Sequence, residues 1–449
     1  MPAPPFATLL SVLEALRIVL TKPSFGNLLV IVCGWLQTQG PHAITEALVV
    51  TGVAGRRHHE AFHRFFSRAR WDPDQMGVWL FRRLEPFIAG DVVRVVIDDT
   101  LAPKKGPHVF GISSHVDAVR STRKHRVFCF GHCWVVLGVV MRVPFSRRTW
   151  ALPVLFRLYR GKKETASHEA QYAKKTELAR ALLDKFASWV GDRRIEVTID
   201  AAYCNATVTH GLPASIILFG AMRPDAVLTA APEARSAGAK GRTKLRGVPL
   251  PKPVQVAEDS ARPWKMAKAF LYGKTTKVRY KTFTAQWYRA CGIGLLRIVV
   301  VVTDHGQIPY RVFFSTDPSL DVVRILETYA GRWGIEVFFR EAKQLLGFAD
   351  SSARLERAVR RVAPLVGLLY TTLVVWALET HRARGFVASL PPRPWYTHKT
   401  GLSFADILRE ARRAIAPVDI LDLASHSANF TSGTPPAPSA GLSGDRLAA

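Results

Sequence analysis

Acidic side chains are scarce in this sequence: 35 Asp and Glu stand against 62 Lys and Arg, for a formal net charge of +27. The isoelectric point lies near 10.4. A chain so unbalanced repels itself unless a polyanion is present, and nucleic acid is the usual one, because each Lys or Arg that meets a phosphate releases a counterion. A ribosome-like basic coat or a compositional drift toward Arg gives the same balance. Cysteine is also sparse. The five residues Cys33, Cys129, Cys133, Cys204 and Cys291 are odd in number and scattered, which excludes a disulfide framework and points to a reducing cytosol. Cys129, His132 and Cys133 lie close together, but no second Cys/His pair follows at zinc spacing, so they read as core packing. Met1–Leu10 lacks the basic start and cleavage pattern of a secretory signal. Long uncharged apolar runs are missing too. Val127–Phe145 contains His132 and Arg142, and Val362–Leu378 is short for a span and contains Pro364. Both read as buried elements, and no membrane partner is expected. No internal repeat is visible.

What is present is a folded chain of 449 residues with 48% apolar side chains, long enough for two or three domains. Residues 1–90 look helical, with apolar residues at helical spacing over Ala15–Leu20, Ile44–Val50 and Met76–Phe87. Between them, Arg56–Trp71 puts Phe62, Phe65 and Phe66 on one face and Arg57, Arg64 and Arg68 elsewhere. That pattern suits the second helix of a helix-turn-helix reader, with Arg64 and Arg68 toward DNA, and equally an ordinary amphipathic helix. From Asp91 the period changes. Val92–Ile97, Val127–Val143, Thr149–Tyr159 and Ile195–Ile199 read as strands, with a helix over Glu169–Val190, which predicts an α/β core over 91–206 and 299–380. Residues 207–298 form a basic, β-rich insertion. Between Ala231 and Ala290 there are 14 Lys and Arg against three acids, and Ala234–Gly247 reads as a basic loop. Thr275–Thr284, Leu295–Val302 and Val312–Ser315 read as strands, and Leu320–Leu346 and Val359–His381 as long helices. The C-terminal region, 381–449, ends after Asn429 in a tail of Pro, Ser, Gly and Ala that reads as disordered.

Three acidic positions carry chemistry. Asp98-Asp99-Thr100 follows directly on the strand Val92–Ile97, and Asp200 closes the strand Ile195–Ile199. A carboxylate at a strand end is held rigidly at an opening of the sheet, and two of them could share divalent cations. Neighbours on a strand face opposite sides, so only one of Asp98 and Asp99 can serve. The third position sits on a marked helix. Tyr329, Arg332, Glu336 and Lys343 fall within a narrow arc of an ideal helix, with Arg340 close by, while Ile335, Val337, Phe338, Phe339, Leu345 and Leu346 lie opposite.

The spacing Tyr-x2-Arg-x3-Glu-x6-Lys, matched at Tyr329, Arg332, Glu336 and Lys343, resembles the signature of the insertion-sequence-four group of bacterial transposases. Asp98-Asp99-Thr100 and Ile199-Asp200-Ala201-Ala202-Tyr203 look like that group's two Asp boxes, with Asp98 in the Asp-x-Thr position and Asp99 the alternative. The resemblance spans roughly residues 90–380. It implies a ribonuclease-H-like mixed sheet flanked by helices, and a DDE transposase that cuts and joins DNA in the bacterial nucleoid. Asp98, Asp200 and Glu336 would be the catalytic residues and would bind two Mg²⁺ ions, with Mn²⁺ as a substitute. Tyr329, Arg332 and Lys343 would hold a phosphate of the transposon end. Lys104, Lys105 and His108 would either contact phosphate or form a solvated turn. The stretch Lys240–Lys281 would track DNA, with Trp264 or Trp287 stacking on bases. The implied partner is double-stranded DNA, bound by a homodimer. A nuclease on the same fold and a catalytically silent DNA-binding regulator are the competing readings.

Overall fold

The computed structural model describes residues 5–426, apart from 107, 118, 123, 168–170, 234–241, 303–308, 387–394, 396–398 and 400. The proposed C-terminal tail and most of the 234–247 loop therefore lie outside the described residues.

The chain begins with five helices: α1 (Pro5–Glu14), α2 (Lys22–Gln37), α3 (Ile44–Val50), α4 (Glu60–Ser67) and α5 (Pro73–Leu84). Helix α5 starts where a start is encoded: the Asp72 side chain accepts from Asp74 N, and Pro73 occupies the first turn, where no backbone donor is needed. The expected helix at 15–20 is a short 3₁₀ turn, Ala15–Val19. In α4 the aromatic face points inward as expected. Phe65 stacks on Trp71, and the Trp71 indole donates to the Phe65 carbonyl at 2.7 Å. These helices share one continuous hydrophobic core with the sheet that follows.

That sheet starts with β1 (Val92–Pro103), β2 (Ser113–Val116), β3 (Phe128–Arg142) and β4 (Thr149–Tyr159). Helices α6 (Lys162–Ser167) and α7 (Lys175–Val190) lead to β5 (Arg194–Ile199), and the short α8 (Ala206–Thr209) leads to β6 (Ile216–Met222). Strand β3 is antiparallel to both β1 and β4, whereas β5 is parallel to β1 and β6 parallel to β5. The spatial order β4-β3-β1-β5-β6, with helices over the sheet, is the ribonuclease-H-like mixed architecture expected from the sequence. Its central strands are apolar on both faces because both are covered: Val95, Val96, Ile97, Val197 and Ile199 are fully buried.

The insertion contributes β7 (Leu228–Thr229), β8 (Pro249–Leu250), α9 (Pro253–Glu258), β9 (Lys265–Leu271), β10 (Lys274–Gln286) and α10 (Tyr288–Cys291). The β9–β10 hairpin turns on Tyr272-Gly273, both at positive φ, as a two-residue loop requires. Lys265, Lys268, Lys274, Lys277 and Arg279 lie exposed on it. Strands β11 (Leu295–Val302) and β12 (Tyr310–Ser315) join the insertion to β6, so one sheet continues through both parts.

The last helices are α11 (Val322–Ala330), α12 (Trp333–Leu345), α13 (Glu356–Arg384), α14 (Phe404–Ile415) and α15 (Ile420–His426). The single helix expected over Leu320–Leu346 is thus two. The chain tightens between them into i→i−3 bonds, with Arg332 N donating to Tyr329 O and Gly334 N to Gly331 O. Glycine and close packing explain the break. A Cβ on Gly331 would lie 3.1 Å from Thr328 O, and one on Gly334 would lie 2.9 Å from Ala151 N of β4. The α13 helix is long and apolar enough to cross a membrane, but 94% of its most apolar window is buried inside the protein. It is a core helix. Arg361 anchors it by donating to the carbonyls of Phe66, Ala69 and Trp71, and Gly367 leaves room for the Phe156 ring.

Gly334→Val tests how tightly α12 is seated. It should cost about 1–3 kcal/mol of stability, read as a lower denaturant midpoint. Gly40→Val, where a Cβ meets nothing within 4 Å, should leave the midpoint unchanged.

Candidate active site

Asp98 and Asp99 are neighbours on β1 with separate surroundings. Their ladder partners are Val136 and Val135 of β3, and strand alternation sends the two carboxylates to opposite faces. Asp98 faces α12. Its Oδ2 accepts from Arg332 at 2.5 Å, and the same guanidinium donates to Glu336 Oε1 at 2.5 Å. Arg332 and Asp98 are each only 15% exposed, Glu336 36%. Asp200, at the end of β5, lines a cavity of about 320 Å³ together with Tyr329, Arg332 and Trp333. Strand β1 runs on to Pro103, so Asp98 sits in mid-strand and not at the strand end expected from the sequence; its parallel pairing with β5, whose last pair is Ile97↔Ile199, still sets it beside Asp200.

Electrostatics at this site are strained. Burial pushes Asp98 up to about 7, against the pull of Arg332 and with the Asp99 and Asp200 charges adding to the rise. Arg332 is held above its ordinary value: burial opposes its charge, but Asp98, Tyr329, Glu336 and Asp200 all favour it. Burial likewise pushes the Tyr329 phenol up to about 12, and its ring packs on Phe313 at 4.6 Å between centroids.

Asp99 belongs to a different cluster. Its Oδ2 accepts from Lys175 Nζ at 2.6 Å, and its Oδ1 accepts from Tyr203 OH at 2.6 Å. The Cys133 thiol donates to it at 3.2 Å. Burial would raise Asp99, but Lys175 and these donors hold it below the ordinary value. The 3₁₀ turn Ala201–Tyr203 directly after Asp200 supplies Tyr203. Asp99 therefore ties the Asp200 segment to β1 and is internally satisfied.

The other predicted positions scatter. Lys343 lies on α12, partly buried, and burial lowers its pKa. Arg340 is exposed on the same helix. Lys104 turns inward, donating to the carbonyls of Ala349 and Ser351 just past α12, and burial lowers it to about 8. Lys105 and His108 are exposed, as are Arg64 and Arg68, with Arg64 paired to Glu60. Lys240 lies outside the described residues, and Lys281 is buried with its ammonium on three backbone carbonyls. Trp264 stacks on Tyr310, and Trp287 meets Phe314 edge-on, so both rings are partly buried against the core. His132 and Cys133 are buried as expected, whereas Cys129, read with them as core packing, is partly exposed where β3 pairs with the edge strand β2.

Sequence reasoning missed Lys175 as the partner of Asp99. Nothing in a lysine at a helix start identifies it; only the packing of α7 against β3 does. Tyr203 stood in plain view three residues after Asp200 but had no role until its hydroxyl reached Asp99.

The arrangement offers hard-oxygen ligands and one buried cation that bridges two of them. Among the described residues, no cluster of three His, Cys, Asp or Glu is gathered closely enough to hold a metal ion ready-made, and Arg332 stands between Asp98 and Glu336. The donor set suits a hard divalent cation such as Mg²⁺ or Mn²⁺, and the bridging guanidinium marks where positive charge is needed.

The raised pKa of Asp98 fixes the sign of a pH effect. Its protonated form is favoured by folding, so that stability is full below about pH 4 and is lost as pH rises through about 7. Asp98→Asn cannot titrate. Its melting temperature should gain steadily on wild type from about pH 5 to pH 8, and a flat difference across that window would contradict the buried-carboxylate picture.

Residues 25–291 match the family described as DDE superfamily endonuclease. The matched span includes Asp98 and Asp200 and ends before Glu336. No curated protein matches the chain.

Proposed function

The chain belongs to the DDE superfamily endonucleases, and from that premise we propose that it is a transposase of the Tyr-Arg-Glu-Lys type, which cuts DNA at the ends of a mobile element and joins them to a target by a cut-and-paste route. Family membership makes DNA the substrate and points to a nuclease or transposase enzyme. The observation that carries the finer reading is the meeting of Asp98 and Glu336 on Arg332, with Asp200 and Tyr329 in the adjoining cavity. Residues far apart in the chain converge there, and three of the four signature positions stand at or beside that meeting point.

In this reading Asp98, Asp200 and Glu336 hold the divalent ions. When bound, such ions activate the attacking oxygen and stabilise the leaving oxygen of an in-line displacement at phosphorus. The chain's own residues do the rest. Arg332 carries a planar fork of donors that matches phosphate oxygens. Tyr329 adds a hydroxyl that stays protonated, since burial raises its pKa. Lys343 and the exposed Arg340, on the same helix, extend the positive face along the strand being cut. Asp99, Lys175 and Tyr203 brace the middle of β1 against the end of β5. Farther out, Lys105, Arg64, Arg68 and the β9–β10 lysines would meet the DNA backbone. A homodimer on two DNA ends would account for pairing them. A plain nuclease would use the same acids, but it gives no reason for the tyrosine, arginine and lysine at their spacing.

The test is cleavage and strand joining of a labelled DNA carrying the element's own ends, with Mg²⁺ or Mn²⁺. Glu336→Gln should lower the rate about a thousandfold or more while DNA binding persists. Tight DNA binding by the wild type with no cutting under either metal would establish the silent regulator. Cutting without joining would establish the nuclease.

A further inference from the structure

The β2–β3 ribbon projects beyond the core and presents large apolar side chains to solvent. Phe128 and Phe130 are each 64% exposed, and Val116 is 47% exposed beside them. The pairing Val116↔Phe128 and Ser114↔Phe130 places all three on one face of the ribbon. The same register continues into the sheet: His132 pairs with Ala102, Trp134 with Thr100 and Val136 with Asp98. Even-numbered residues of β3 therefore share the face of Asp98. Phe130 is six residues from Val136, which is about 20 Å along the strand.

The described residues of the segment that closes the ribbon are basic and hydrogen-bonded to one another. Asp117 N donates to Val127 O, Thr122 N to His125 O, and the Asp117 carboxylate accepts from Val119 N and Arg120 N. Arg120, Lys124 and Arg126 are exposed on it, and Asp117 is the single acid between 113 and 130. Gly131 lets the ribbon's root close tightly on β1, since a Cβ there would lie 2.4 Å from Ala102 O.

We propose that this ribbon is a DNA-gripping arm, in which Arg120, Lys124 and Arg126 hold backbone phosphates and Phe128 and Phe130 press against exposed or unstacked bases about six base pairs from the reacting phosphate. The proposal rests on the DNA-cutting reading above. Charge decides the occupant: a second copy of a chain carrying +27 would bring more positive charge to a basic tip, whereas DNA brings its complement. The edge strand β2 spans only four residues, too short to favour pairing with another sheet.

Two double variants test it in the full chain, with binding of a labelled mixed-sequence duplex measured over a range of salt. Phe128→Ser with Phe130→Ser should weaken Kd about ten- to hundredfold and leave the salt slope unchanged. Lys124→Gln with Arg126→Gln should make the slope of log K against log salt shallower by about two. Both sets are exposed, so melting temperatures should hold. Unchanged affinity in the Phe variant, alongside wild-type protein that binds and cuts DNA, would overturn the arm alone. A fall in sedimenting mass with unchanged DNA affinity would also overturn it and assign the ribbon to a second copy. Wild-type protein that binds no DNA would overturn the arm together with the function it rests on.

Discussion

Like charges brought to one end of a sheet repel, and at low effective dielectric that repulsion amounts to several kcal/mol. This is the constraint around which the candidate site is built. Asp98 and Glu336 meet across Arg332, and Asp200 adds its field from the neighbouring strand end. The guanidinium compensates the acids, and burial leaves Asp98 poised near neutrality. Removing one partner from such a buried pair commonly costs about 3–5 kcal/mol, so the helix that delivers Arg332 must sit in one place. The tightened turn at Gly331 and the close contact of Gly334 with β4 put it there.

The adjacent aspartates show how one strand can support two tasks. Alternation sends Asp98 to the α12 face and Asp99 to the α7 face. Asp98 is left with a partner that a stronger cation or a phosphate can draw away. Asp99 is saturated by Lys175, Tyr203 and Cys133 and holds the Asp200 turn against β1. A group with all its hydrogen bonds satisfied makes a good brace and a poor ligand. That contrast supports Asp98 as the member of the pair with chemistry to do.

Much of this was legible in the sequence because the relevant signals are local. The β-branched run Leu295–Val302 became a strand as read, Val92–Ile97 became the first half of a strand that runs on to Pro103, and the apolar run within 359–381 became the buried α13. The helical arc joining Tyr329 to Lys343 was a coarser guide. It assumed one unbroken helix, and the turn at Gly331 depends on a tertiary contact with β4 that no local pattern records. Side chains whose roles depend on distant partners were read least well. Lys104 looked like a surface cation, but its nearest acceptors are carbonyls some 245 residues away in the chain. Trp264 and Trp287 looked available for stacking, but Tyr310 and Phe314 from a later strand already fill that need. The exposed phenylalanines of the ribbon gave no sequence signal, since Phe128 and Phe130 open an apolar run whose stretch Gly131–Val139 is buried.

The central claim is that Asp98, Asp200 and Glu336 form one metal-binding centre, and the most direct measurement locates the metal on the protein itself. Fe²⁺ can take the place of a hard divalent ion, and hydroxyl radicals generated from it cut the nearby backbone. With DNA bound, the account predicts cuts clustered near residues 98, 200 and 336, all suppressed by excess Mg²⁺. Cuts confined to other parts of the chain, or cuts near only one of the three acids, would contradict it.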